Sequence, residues 1–193
     1  LRGARVLAPS RDLARRFERL TGRSVKVLDL PLVDPVVPAP EPEPGPLRFL
    51  FLGSLIPTKG PQVLVEAFRE LEADASLRLY GPRVDLPLAP GFYDRLMRRI
   101  SDSPGASYGG VFSAAERQGV LADADVLVVP STWPENSPLV VREALAAGLR
   151  VVASATGGVL ELSPDIRAVE PGSVRDLQAA LAVQHRAAVH VGH

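Results

Sequence analysis

From Leu47 onward the chain repeats one pattern, a short run that is apolar nearly throughout followed by a stretch with helical periodicity. The apolar runs include LRFLFLG (47–53), LRLYG (77–81), DVLVVP (125–130) and RVVAS (150–154). A strand with one wet face alternates apolar and polar residues, whereas a strand that is apolar at consecutive positions is buried on both faces. Between the runs, PQVLVEAFRELEA sets Val63, Leu64, Ala67, Phe68 and Leu71 on one helical face, and residues 91–101, AAERQGVLADA and 138–147 also read as helices. A short strand or extended turn over 105–112, a last strand in IRAVE and a helix from Ser173 to about His185 complete the series. The pattern predicts an α/β fold, a Rossmann-like parallel sheet with helices on both faces.

Upstream, Ala4 to Ala8 reads as a strand, Ser10 as the cap of an amphipathic helix to Leu20, and Val25 to Leu28 as a second strand. Two short strands and a helix cannot bury their own faces. With no initiator Met before Leu1, residues 1–34 are expected to be the trailing edge of a further domain. Residues 35–46, PVVPAPEPEPGP, carry near-alternating prolines that disfavour helix and central strand, and predict a semi-rigid extended linker. Residues 47–193 form the sheet domain.

The 22 basic and 22 acidic residues cancel, so no global field draws the chain to nucleic acid or an acidic membrane. Apolar runs are far shorter than a bilayer requires and no signal-peptide pattern opens the chain, which predicts a cytoplasmic protein. Cysteine is absent and two of the three histidines lie in the last residues, so disulfides, thiolate sites and a histidine metal cage are set aside.

Parallel sheets bind ligands at the carboxyl ends of their strands. That selects the loops 53–60, 80–87, 109–113 and 130–138. The last leads into PSTWPENSPLVVREALAAG (130–148), where Ser137 then Pro138 reads as a helix cap followed by proline, and Gly148 as the helix stop. A helix start offers unpaired N–H groups and the positive end of its dipole, a setting for phosphate. Lys59, in GSLIPTKG after the first strand of the domain, would neutralise the same anion from a neighbouring loop. Lys59 followed by Gly60 is not a P-loop, and no G-x-G-x-x-G follows a strand.

Glu135 precedes the helix and would face the sugar side of such a ligand. Glu143 lies on the flank of a helix whose core face is Val140, Val141, Ala144 and Leu145. Phosphates would repel its carboxylate, so its better use is to accept hydrogen bonds from a ribose diol. Each residue also has a plain reading: Glu143 as a solvated helix residue, Glu135 closing a capping box with Thr132, Lys59 as a surface lysine. Trp133 would then cap the core, and Tyr80, Gly81 and Pro82 would form a turn. The rarity of lysine, of Asn136 and of Trp133 in this chain, and the clustering of these residues at one sheet edge, favour the functional reading.

FLGSLIPTKGPQVLVEAF, LYGP, and the long run from YGGVFSAAERQ through WPENSPLVVREALAAG to ATGGVLEL resemble the carboxyl-terminal domain of retaining GT-B glycosyltransferases of family four. The likeness runs from about Leu47 to Leu181. It implies a nucleotide-diphosphate sugar, UDP- or GDP-linked, as donor, with no required metal or other cofactor. It places Glu135 against the donor sugar, the backbone of Asn136, Ser137, Pro138 and Leu139 on sugar hydroxyls and diphosphate, Glu143 on the ribose and Lys59 on the diphosphate. Val111 and Phe112 would lie near the base, with Gly53, Ser54, Tyr80 and Gly81 completing the donor-binding set. Many members have Arg where this chain has Ser54, so either the diphosphate has one cation fewer here or Arg83 or another group substitutes. The resemblance further implies a hexosyltransferase that retains anomeric configuration by a front-face route, with Lys59 and the helix start stabilising the leaving diphosphate. The acceptor would sit on an absent amino-terminal domain, through which peripheral membrane association is a further expectation, so the chain alone would be inactive. A non-catalytic nucleotide-sugar module and a GT-B phosphorylase or epimerase are the alternatives.

Overall fold

The computed structural model describes residues 5–32, 35–39, 45–71 and 74–191, with side chains to residue 185. Expectations for Ala4, for residues 33–34 and 40–44, and for the end of the 61–73 helix lie outside the described residues. The amino-terminal unit is β1 (Leu7–Ala8), α1 (Arg11–Thr21) and β2 (Lys26–Val27), with the two strands paired parallel in a sheet of their own. The main body follows as β3 (Leu47–Leu52), α2 (Pro61–Arg69), β4 (Ala75–Tyr80), α3 (Phe92–Ser101), β5 (Ala106–Gly110), α4 (Arg117–Ala122), β6 (Val126–Val129), α5 (Leu139–Ala146), β7 (Arg150–Ser154), β8 (Arg167–Val169) and α6 (Val174–Val191). Its strands form one six-stranded parallel sheet in the order β5-β4-β3-β6-β7-β8.

Strand periodicity splits the core into two layers. Phe49 and Phe51 of β3, with Leu77, Leu79, Val126, Val128 and Val152, meet Leu64 and Phe68 of α2, Leu96 and Ile100 of α3, and Leu177 and Leu181 of α6. On the opposite face Leu50, Leu52, Leu127, Val129, Val151 and Ala153 pack with Leu121 of α4 and with Val141 and Ala144 of α5. Burying a side chain such as Leu127 completely stabilises the fold by roughly 1.5–3 kcal/mol. Cover on this second face is full over β3, β6 and β7 and incomplete over β4, where Arg78 is exposed beside the half-buried Ser76 and Tyr80.

The proline-rich segment is fastened rather than free over its described part. Gln118 of α4 grips Val37 on both backbone groups, accepting from its N–H at 3.1 Å and donating to its carbonyl at 2.7 Å. Two residues on, the Ala39 N–H donates to Ala147 at 2.8 Å. The amino-terminal unit is held as well. Ser10 accepts from the Leu13 N–H at 3.2 Å as the sequence predicts, and the Glu161 carboxylate takes the Arg11 and Asp12 N–H groups at 2.7 Å each. A charged acceptor on the first turn of a helix meets both the open N–H groups and the positive end of the dipole. Leu7, Leu20, Val27 and Leu28 of this unit remain exposed.

Candidate functional site

The strand order reverses between β3 and β6, which pair through Phe49–Val126 and Leu50–Leu127. A reversal of this kind sends the following helices to opposite faces, α2 to one and α5 to the other, and is where such sheets bind ligands, in the crevice at the carboxyl edge. After β3 the chain makes a short helical turn, Pro57–Lys59, ended by Gly60 at φ 74°. A Cβ on Gly60 would stand 2.0 Å from the Pro130 carbonyl oxygen, so glycine lets the loops after β3 and β6 touch. Thr132 then donates its N–H to the Thr58 carbonyl at 2.9 Å. These contacts bring Lys59 Nζ to 2.7 Å from Glu135 Oε1, with the two side chains 38% and 13% exposed. Ser131, buried at the end of β6, donates its hydroxyl to the same oxygen. The peptide of Glu135 is fixed too, since it bridges to Gly157 and its carbonyl accepts the Gly158 N–H at 2.6 Å.

At the start of α5 one expectation is corrected. The cap position is Pro138, not Ser137, because the Pro138 carbonyl accepts the Val141 N–H and opens the helix one residue later. No side chain caps this helix. Ser137 instead receives Arg142 Nε at 3.1 Å, and Arg142 also pairs with Asp29 of the amino-terminal unit. The stop lies where the sequence puts it. Gly148, at φ 84°, donates to the Leu145 carbonyl and Leu149 donates to that of Ala144, the paired bonds of a Schellman ending. Glu143 is not solvated, since its carboxylate is 3.3 Å from Arg117 Nη1 with the two side chains 14% and 26% exposed.

The loops after β4 and β5 close the far side. A Cβ at Gly81, whose φ is 150°, would meet the Gly53 carbonyl oxygen at 1.8 Å, and the Gly81 N–H donates to Gly110 at 2.9 Å. Tyr80 packs edge-on against Phe112 at 5.8 Å between centroids, while Val111 is 68% exposed. Ser54, in the loop after β3, is half-buried, and its carbonyl accepts the Ile56 N–H. Arg83 is committed elsewhere: its Nε donates to Asp85 at 2.9 Å and its guanidinium lies 4.7 Å over the Tyr93 ring. Asn136 and Leu139 are exposed beside the α5 start, and Trp133 is 67% exposed and does not cap the core. A separate cleft of about 220 Å³, lined by Arg48, Leu50, Ser76, Arg78, Val120 and Asp123, lies on the open face of β4 and reaches Tyr80.

The carboxyl edge thus gathers an ammonium, a helix start with no side-chain cap and two carboxylates, each carboxylate held by a basic side chain. Such an edge can bind an anion and hydroxyl groups together. Sequence reasoning missed Arg117, Arg142 and Glu161, each of which has a partner distant in the chain.

A family model described as glycosyl transferases group 1 matches residues 46–184. The chain belongs to the group 1 glycosyl transferases. This group 1 domain is 33% identical over 162 residues to a D-inositol 3-phosphate glycosyltransferase of Corynebacterium efficiens, covering 80% of the chain and 35% of that protein. Over 147 residues it is 31% identical to the enzyme of the same name from Corynebacterium aurimucosum, covering 74% of the chain and 32% of that protein. It therefore spans about one third of the length of these curated relatives. Among solved structures it matches Anabaena HepE in complex with UDP and glucose with a TM-score of 0.80 at 20% identity, over 93% of this chain and 53% of that one. Sucrose-phosphate synthase of Thermosynechococcus elongatus matches with a TM-score of 0.76 at 23% identity, over 95% and 49%. At these identities the structural likeness establishes the GT-B fold of the group 1 domain. Among the described residues no helix is long and apolar enough to cross a membrane.

Proposed function

We propose that the β3–β6 edge binds a nucleotide-diphosphate sugar, UDP- or GDP-linked, and that the protein carrying it transfers a hexose to an acceptor hydroxyl with retention, in glycan or cell-surface polysaccharide synthesis. The observation that carries this reading is the Lys59–Glu135 pair at 2.7 Å beside the uncapped start of α5. Lys59, a flexible point charge with one bond to exchange, suits a diphosphate oxygen. Glu135, left with its backbone fixed, suits a sugar hydroxyl. Glu143 accepts from the ribose, and Tyr80 with Phe112 borders the base. In the transfer the acceptor oxygen bonds to the anomeric carbon as the bond to the diphosphate oxygen breaks, and the acceptor proton passes to that departing oxygen. The positive groups lower the cost of charge developing on the diphosphate.

The family, the HepE complex with UDP and glucose, and the sugar-transferring relatives support a nucleotide-sugar donor. The share of the relatives that the chain spans, together with exposed Leu7, Leu20, Val27 and Leu28, supports an acceptor domain lying outside these residues, with 1–34 belonging to its end and 35–46 joining it to the donor domain. A cytoplasmic location, at the membrane face where the acceptor domain is peripheral, fits this reading. Hydrogen exchange of the chain with and without UDP-glucose and GDP-mannose tests it. Protection of residues 54–60 and 130–143 is expected; protection confined to other segments, or none with either donor, overturns it.

A further inference from the structure

Glu143 and its partner Arg117 carry one step more. Arg117 opens α4 on the chain returning from the loop of Val111 and Phe112, so the pair joins the base side of the crevice to α5. With the side chains 26% and 14% exposed, solvent screens this pair less than an ordinary surface pair. A lone carboxylate here would face two difficulties: it would repel the anionic diphosphate, and it would be free to turn away from the ligand. A guanidinium 3.3 Å from Oε1 eases both, since it offsets the charge and draws the carboxylate to one side of the crevice.

We propose that Arg117 is a positioning residue that makes Glu143 selective for the ribose hydroxyls of the donor. This deepens the nucleotide-sugar reading and rests on it. Arg117 acts through Glu143, so its loss falls on ligands that carry the hydroxyl Glu143 accepts and largely spares those that lack it. A purely structural role for Arg117 would weaken all nucleotides alike.

The test is a calorimetric titration of the whole chain with UDP and 2′-deoxy-UDP, and with 3′-deoxy-UDP as the second diol probe. Wild type, Arg117→Ala, Arg117→Lys and Glu143→Gln are compared, each checked for native circular dichroism. A hydrogen bond to a charged acceptor predicts that wild type prefers UDP over at least one deoxy form by about tenfold. Arg117→Ala should shrink that preference to about twofold, Glu143→Gln should do the same, and Arg117→Lys should restore part of it. Equal weakening of all three ligands in Arg117→Ala, or an unchanged preference, overturns the inference while leaving the donor site standing. Where wild type binds GDP instead of UDP, the same series is run with GDP and its deoxy forms, and absence of binding to both nucleotides overturns the donor-site reading and this inference together.

Discussion

Two ion pairs tie β3 to β6, one at each end of the sheet, and they are built for opposite purposes. At the amino end Arg48 meets Asp125 through Nη2 at 2.7 Å and Nε at 3.1 Å, and the Arg48 N–H adds a third bond at 2.8 Å. The Asp125 side chain is 6% exposed. Its backbone also bonds Arg48 and Arg150, so every group is committed. Burial pushes the Asp125 pKa up, but hydrogen bonds from the Arg48 side chain and backbone and the charges of Arg48 and Arg150 outweigh it, and the net shift is downward. At the carboxyl end a single lysine bond reaches Glu135 from a half-exposed loop. An arginine fork holds strands in register. A lysine point charge can leave its partner for a ligand oxygen at small cost.

The sharpest way to break this contrast is to cut the amino-end pair. Asp125→Ala should destabilise the fold by about 2 kcal/mol, since it strips three hydrogen bonds but leaves Arg48 37% exposed, where water takes up part of the loss, and leave the nucleotide affinity of the folded protein unchanged; denaturant unfolding and calorimetry read the two effects separately. The pH dependence follows the same residue. Because the folded pKa of Asp125 is depressed, its contribution is complete above its unfolded value, near the ordinary carboxylate range of about 4, and is lost as pH falls through the lower folded value. Urea midpoints at successive acid pH values should therefore drop less steeply in Asp125→Asn than in wild type. Next in size, Lys59→Ala should weaken nucleoside diphosphate binding by about tenfold or more, while changing stability by less than about 1 kcal/mol, the usual worth of a partly exposed pair. Glu161→Ala should cost about 1 kcal/mol, the range of a lost helix cap, and speed hydrogen exchange in α1 without touching β3 or β6. Ser131→Ala, which removes one of two donors to Glu135 Oε1, should have the smallest effect, a drop in donor affinity of a few fold.

Much of the frame was legible because it is local. LRFLFL and VLVV are strands since no amphipathic helix can be drawn through them, and Gly148 ends α5 because the left-handed residue of that ending favours glycine. A parallel sheet puts the loops of Lys59 and Glu135 at one edge, whereas the β3–β6 pairing that makes them neighbours has no local signal. Boundaries were less legible. α6 runs on to Val191 through RAAVHV, where no breaker precedes Gly192, and α4 begins at Arg117 rather than in the alanines before it. The hold of Gln118 on Val37, of Glu161 on α1 and of Arg117 on Glu143 was invisible, since each joins residues far apart in sequence and none has a local signature. Ser137 was misread by one position for a related reason: its hydroxyl is taken by Arg142, a competitor that cap statistics do not include.

The most direct test of the Lys59–Glu135 edge as a donor site is calorimetric titration of the chain with UDP and GDP, in wild type and Lys59→Ala. Wild type should bind at least one of them with a Kd roughly in the micromolar to millimolar range, weakened about tenfold or more by the substitution. Binding of neither nucleotide, or binding that ignores the loss of Lys59, would contradict it.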